Sequence, residues 1–184
     1  MALLIKNAKR AENLWQLLSI ENTGETLVPV PSLPSGDVLV SLPLWQAARA
    51  ALIARPSGRL GVCLAPADDP AQIAEDFEVF SLIAVEFPQF TDGRGYSIGR
   101  LLRERYGWRG ELRAMGDVQR DQLYYLAQCG FDAFLLRTTT TQDEDRALQV
   151  ALTAAADFSE AYQNSVARPQ PLFRRRPLNP TAAA

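Results

Sequence analysis

Five runs of apolar residues recur along the middle of this chain, each followed by a turn or a segment of helical spacing. The runs are Val38–Leu42, Leu60–Ala65, Ser81–Phe87, Glu111–Met115 and Asp132–Leu136. Ser81–Phe87 is continuous in apolar character rather than alternating, which suits a strand buried on both faces, as in parallel sheets. The intervening segments read as helices. Pro43 suits a first helical position, and Leu44, Ala47, Ala48, Ala51 and Leu52 follow the i, i+3, i+4, i+7, i+8 rule until ARPSGR ends the pattern. Asp69-Pro70-Ala71-Gln72 reads as a capping box, with Ile73 and Phe77 forming an inward stripe behind it. Ser97 is placed to cap a helix whose stripe is Ile98, Leu101, Leu102 and Tyr106, stopped by Gly107 or Gly110. Asp117 is placed to cap another, with Leu123, Leu126 and Ala127 inward and Cys129-Gly130 at its end. Thr141 to Glu144 forms a further capping box, opening a helix lined by Leu148, Ala151, Leu152, Ala155, Phe158 and Tyr162.

About five βα units in succession imply an α/β fold with a mostly parallel sheet. An open doubly wound sheet and a partial βα barrel both satisfy the pattern. Residues 1–36 form a short irregular N-terminal extension, with Leu3–Lys6 and Leu14–Leu18 as short strands and Asn22–Gly24 as a turn. Prolines at 29, 31 and 34 then make an extended connector to the α/β domain of residues 37–167. From Arg168 the chain reads RPQPLFRRRPLNPTAAA, a composition that suits a flexible tail. Its arginines, with Leu172 and Phe173 as apolar anchors, would also suit a docking strip for an acidic partner.

Composition narrows the chemistry more than the fold. The chain has 184 residues, 47% of them hydrophobic and 22% charged, with a net charge of −2. That balance argues against general attraction to nucleic acid or membrane. MALLIKNAKR has too short an apolar run for a secretory signal, so the cytoplasm is the expected compartment. Cys63 and Cys129 are then expected to be reduced thiols. Histidine is absent, which removes the commonest general base, the Ser-His and Cys-His nucleophile pairs and the commonest metal ligand. No CxxC spacing is present and no metal site is expected. Any catalysis must rest on carboxylates, Tyr, Lys, Arg or a cofactor, and no cofactor motif is evident.

In parallel α/β folds ligands bind beyond the carboxyl ends of the strands. That rim is expected to collect Asp68, Asp69, Glu86, Asp92, Arg94, Tyr96, Asp117, Arg120 and Arg137. Gly93, Arg94, Gly95 and Ser97 form a Gly-rich turn before a helix, and with Arg120 they are the candidate site for a small anion. The turn is neither a Walker loop nor a dinucleotide fingerprint, because no GKS or GKT follows and the third Gly, Gly99, comes one residue late. Asp117 and Tyr96 are the candidates for handling a proton, with an N-cap as the plain alternative for Asp117. Arg100 and Arg103 share a helix face and are the candidate partner contacts, with a solvated ion-pair face as the plain alternative. Trp15, Trp45 and Trp108 read as packing residues, and Cys129 as a small buried residue.

The block DGRGYSIGRLLRERYGWRGELRAMGDVQRDQLYYLAQCGFDAF resembles the signature of a bacterial family of unknown function. Members of that family are labelled as oxidoreductases of sulfite reduction and are associated with genes for assimilatory sulfite reductase. The resemblance extends through WQLL, VLVSLPLW, RLGVCLAPADDP and LIAVEFPQF to DFSEAYQ, from about Leu14 to Gln163. It implies a role in sulfur assimilation with sulfite reductase as a partner, and it carries no catalytic residues over to this chain. Asp92, Arg94, Tyr96, Arg100, Asp117, Arg120 and Asp121 are members of the shared block and nothing more. The residues offer no flavin or dinucleotide fingerprint and no cysteine set for siroheme or an iron–sulfur cluster. The expected function is therefore an accessory protein of sulfite reduction, not catalytic by itself. The alternative is a small enzyme that binds an oxyanion or phosphorylated metabolite at the strand rim.

Overall fold

The computed structural model describes residues 2–6, 9–19, 33–137, 148–149, 164–166, 169–170 and 174. Its frame is one eight-stranded sheet: β1 (Ala2–Lys6), β2 (Lys9–Ala11), β3 (Gln16–Leu18), β4 (Val38–Ser41), β5 (Leu60–Leu64), β6 (Leu82–Phe87), β7 (Glu111–Gly116) and β8 (Ala133–Arg137). The spatial order is β2-β1-β8-β7-β6-β5-β4-β3. Strands β3 to β8 run parallel in sequence order, whereas β1 pairs antiparallel with both β8 and β2. Helices α1 (Leu42–Ile53), α2 (Arg94–Glu104) and α3 (Leu123–Gln128) follow β4, β6 and β7.

The expected doubly wound sheet, or partial barrel of about five βα units, does not form. The sheet is mixed, helices are few among the described residues, and the assembly is a half-barrel. Only a 3₁₀ segment, Pro70–Asp76, connects β5 to β6, where a regular helix is expected from Ile73 and Phe77. Nor is the N-terminus merely irregular. β1 supplies hydrogen-bond partners to β8, an edge the parallel strands would otherwise leave open. This pairing joins residues more than 120 positions apart, so no local pattern announces it: Leu3 faces Leu136 and Ile5 faces Phe134.

Chain length explains the curl. Four residues separate Ala11 on one edge strand from Gln16 on the other. That stretch reaches at most about 18 Å. Eight strands laid flat at about 4.8 Å spacing would hold their outer strands about 34 Å apart. The sheet must bend until its edges approach, and residues 12–15 cross the opening as a strap.

Strand alternation sorts side chains onto two faces. The helix side holds the main core: Leu3, Ile5, Val40, Val62, Leu64, Ile83, Val85 and Phe87 from strands, with Leu44, Trp45, Leu52, Ile98, Leu102 and Leu126 from helices. The other face holds Leu39, Cys63, Leu82 and Ala84, against which Trp15 of the strap and Met115 pack. Arg113 is buried on that face, its guanidinium bonded to Glu111 (Nε 2.9 Å) and to Asn13 of the strap (Nη1 2.9 Å). Lys6 completes the network, with Nζ 2.6 Å from Glu111.

Local starts and stops differ from the sequence expectation in two places. Helix α2 has Gly93, not Ser97, at its N-cap, so Ser97 lies within the first turn. Asp117 caps nothing: the 3₁₀ turn Arg120–Gln122 that leads into α3 is capped by Gln119. The Asn22–Gly24 turn, the Thr141–Glu144 box, most of the helix that follows and most of the tail lie outside the described residues, apart from a helical turn at Leu148 and Gln149.

Candidate functional site

The Gly-rich turn between β6 and α2 is filled by its own acid. Arg94 lies against Asp92, with Nε 3.0 Å from Oδ1 and Nη2 2.7 Å from Oδ2, and the Arg94 backbone N–H also donates to Asp92 at 3.2 Å. Hydrogen bonds from Arg94 hold the Asp92 carboxyl below the usual carboxylate range, and those bonds to Asp92 raise the Arg94 guanidinium. The position where an external anion would meet the helix start and Arg94 is therefore taken by a carboxylate of this chain. Gly93 has an ordinary φ of −83° and open space around it. Gly95 answers to packing: a Cβ there would lie 2.5 Å from the Phe87 ring. Ser97 is exposed, Arg120 is exposed, and no described contact ties either to the Asp92–Arg94 turn.

Asp117 belongs to one stitched pair of loops, and Tyr96 lies beside it in the first turn of α2. Gly116, at φ +103°, lets the chain turn directly after β7, where any Cβ would meet the Phe87 carbonyl at 2.3 Å. Asp117 then accepts the Phe90 N–H at 2.9 Å and donates its own N–H to Phe87 O at 2.7 Å. Gln122 is buried; its amide donates to Phe90 O at 3.3 Å and its oxygen accepts from Gln119 N at 2.9 Å. Burial pushes the Tyr96 phenol up, opposed by a hydrogen bond with Gln122. These contacts fix the loops after β6 and β7 against each other. Gln119 and Gln122 form a capping box, and their three-residue spacing is its sequence signal.

Asp68 and Asp69 are likewise engaged with backbone, accepting from Ala65 N at 2.7 Å and Ala71 N at 2.9 Å. Cys63 is buried with Sγ 3.8 Å from Met115 Sδ, and burial with the nearby Glu86 and Asp68 charges pushes its thiol up to about 12. Such a thiol is not a nucleophile at neutral pH. Arg137 falls at the end of β8, and nothing is described of its side chain.

The two arginines of α2 part company. Arg103 turns inward, its side chain 10% exposed, and donates to the carbonyls of Gly130, Trp108 and Gly110 at 2.8–2.9 Å and to Asp132 at 3.0 Å. Its burial lowers the guanidinium, opposed by the Asp132 charge. Arg103 is a staple holding the turn after α2 and the end of α3 to the start of β8. Arg100 stays at the surface, with Nε 2.8 Å from Glu104. Leu101, 38% exposed, lies on the outer side of the same helix, and the exposed Arg105 is its C-cap.

Arg100 and Tyr96 meet in a place the strand rim does not include. A cavity of about 530 Å³ lies between α2 and α3. Tyr96 and Arg100 line it from α2, and Tyr124, Tyr125, Gln128 and Cys129 from α3 and its end. Asn164 and Ser165 close it from a segment anchored on α3, where Ser165 hydrogen-bonds the Gln128 side chain and Val166 N donates to Gln128 O at 3.1 Å. Burial pushes the Cys129 thiol up, against the pull of the Arg100 charge. The sequence signal for this site is the pair Tyr124-Tyr125 with Gln128 and Cys129 at helical spacing after them.

Among the described residues no helix is long and apolar enough to cross a membrane, and no group of three or more Cys, Asp or Glu side chains could hold a metal ion. The sequence profile of a bacterial protein family of unknown function, DUF934, matches residues 61–173, more than half of the chain. The chain belongs to that family. No curated protein matches it.

Proposed function

We propose that this protein is a non-catalytic accessory factor of assimilatory sulfite reduction, docking on the reductase through the outer face of α2. The resemblance of its central block supplies the pathway, and the geometry supports binding over turnover. One observation carries that preference: five charged groups of the rim, Asp68, Asp69, Asp92, Arg94 and Asp117, are engaged with this chain. Asp92 holds Arg94, Asp117 holds Phe90 N–H, and Asp68 and Asp69 hold backbone amides. The outer side of α2 differs in presenting an exposed apolar residue, Leu101, beside Arg100, which pairs with Glu104, and Arg105. An exposed apolar centre flanked by arginines is the composition of a protein contact.

The test is capture of the purified reductase on immobilised protein, comparing wild type with a Leu101→Glu/Arg105→Glu variant. Both positions are exposed, so the fold is expected to survive. Binding by wild type that falls about tenfold or more in the variant supports the reading. Absence of wild-type binding at micromolar concentration overturns it.

A further inference from the structure

We propose that the cavity between α2 and α3 is a binding site for a planar aromatic compound carrying an anionic group. Its volume of about 530 Å³ falls within the ~300–1,000 Å³ of small-molecule sites. Three tyrosines supply the aromatic surface. Tyr96 is held edge-on by Phe87 at 5.4 Å, and Tyr124 and Tyr125 stand perpendicular to each other at 5.4 Å. Rings set by neighbouring rings present fixed faces and edges to a flat ligand, with little side-chain entropy to lose on binding.

The anionic group follows from Arg100. Its Nε is engaged by Glu104, while the guanidinium lines the cavity. The two Nη groups form the donor fork that matches a carboxylate, sulfonate or phosphate. Among the described residues, the cavity lining contains no carboxylate. Burial pushes the Tyr96 phenol and the Cys129 thiol up, so neither of these two carries a charge that opposes an incoming anion. A neutral aromatic ring would use the tyrosines but not the arginine. A small inorganic anion would use the arginine but leave the apolar lining wet.

This site shares Arg100 with the proposed reductase contact, but Leu101 and Arg105 do not line the cavity. Calorimetric titration with naphthalenesulfonate and with its neutral isostere naphthalenesulfonamide tests it. The sulfonate is expected to bind about tenfold more tightly than the sulfonamide. Arg100→Gln is expected to erase that difference, and Tyr125→Ala to weaken both ligands. Location is read from Cys129: saturating sulfonate should slow its alkylation by iodoacetamide, while buried Cys63 stays unreacted in either case. Equal affinity for the two ligands, no binding of either at millimolar concentration, or unchanged alkylation of Cys129 would each overturn the proposal. Because Leu101→Glu/Arg105→Glu leaves the lining intact, that variant should bind the sulfonate like wild type.

Discussion

Asp76 shows how a buried carboxylate contributes to the acid behaviour of the chain. It lies at the end of the 3₁₀ segment and receives the Trp45 indole N–H at 3.1 Å and the Arg49 guanidinium through both Nε and Nη2. The hydrogen bonds from Arg49 hold its carboxyl below the ordinary range, with the Arg49 charge and Trp45 helping and burial opposing. The folded protein therefore takes up a proton at Asp76 less readily than the unfolded chain does. Stability from this group is fully present above the unfolded carboxylate range and is lost as pH falls through the folded value. Urea unfolding of Asp76→Asn should show a loss of about 1 kcal/mol at neutral pH, the Arg49 partner being half exposed. Its midpoint should also fall less than that of wild type between about pH 5 and pH 3. A variant that keeps the wild-type slope in that range would remove Asp76 from the acid response.

Among the elements, α2 carries the most information, because its glycines answer to the sheet beneath it. Gly95 and Gly99 are buried, and a Cβ at either would lie 2.5 Å or less from the ring of Phe87 or Phe131. Gly93, two residues before Gly95, has nothing within 4 Å. Gly95→Ala is expected to cost about 2 kcal/mol through overpacking, whereas Gly93→Ala should stay within about 0.5 kcal/mol of wild type, both read by thermal unfolding. Equal effects would contradict this division between packing and open turn. The same helix marks the reach of sequence reasoning. The apolar runs locate β4 to β8 to within a residue or two, because strands buried on both faces leave a largely apolar trace, interrupted in β7 by Glu111 and Arg113. The side from which each glycine is approached leaves no such trace, and neither does the inward turn of Arg103. Three of its partners are backbone carbonyls, at Trp108, Gly110 and Gly130, and carbonyls are invisible to residue type. Sequence spacing puts Arg100 and Arg103 on one face; the structure makes one a surface ion pair and the other a staple.

For the molecule as a whole, the controlling feature is the short passage from one edge of the sheet to the other. Asn13 organises it: its Oδ1 accepts from Trp15 N at 3.4 Å and from Arg113 Nη1 at 2.9 Å, deep in the sheet. Trp15 packs on the cluster of Leu39, Cys63, Leu82 and Ala84 and lies 5.1 Å beneath the Arg59 guanidinium. Arg59 is in turn paired with Asp37 at the start of β4. The strap therefore ties both edges to the middle of the half-barrel and to each other. Asn13→Ala/Trp15→Ala removes a partner of buried Arg113 and a half-buried indole, for an expected loss of about 3 kcal/mol. Its more telling effect is spatial. Hydrogen exchange should quicken at β2 as well as β3, including the Gln16 amide that donates to Asp37 O at 3.0 Å, while the β5–β6 pairing keeps its protection. If only β3 opened, the two edges would be stable independently and the strap a mere connection. Opening at both edges identifies residues 12–15 as the tie that keeps an eight-stranded sheet curled.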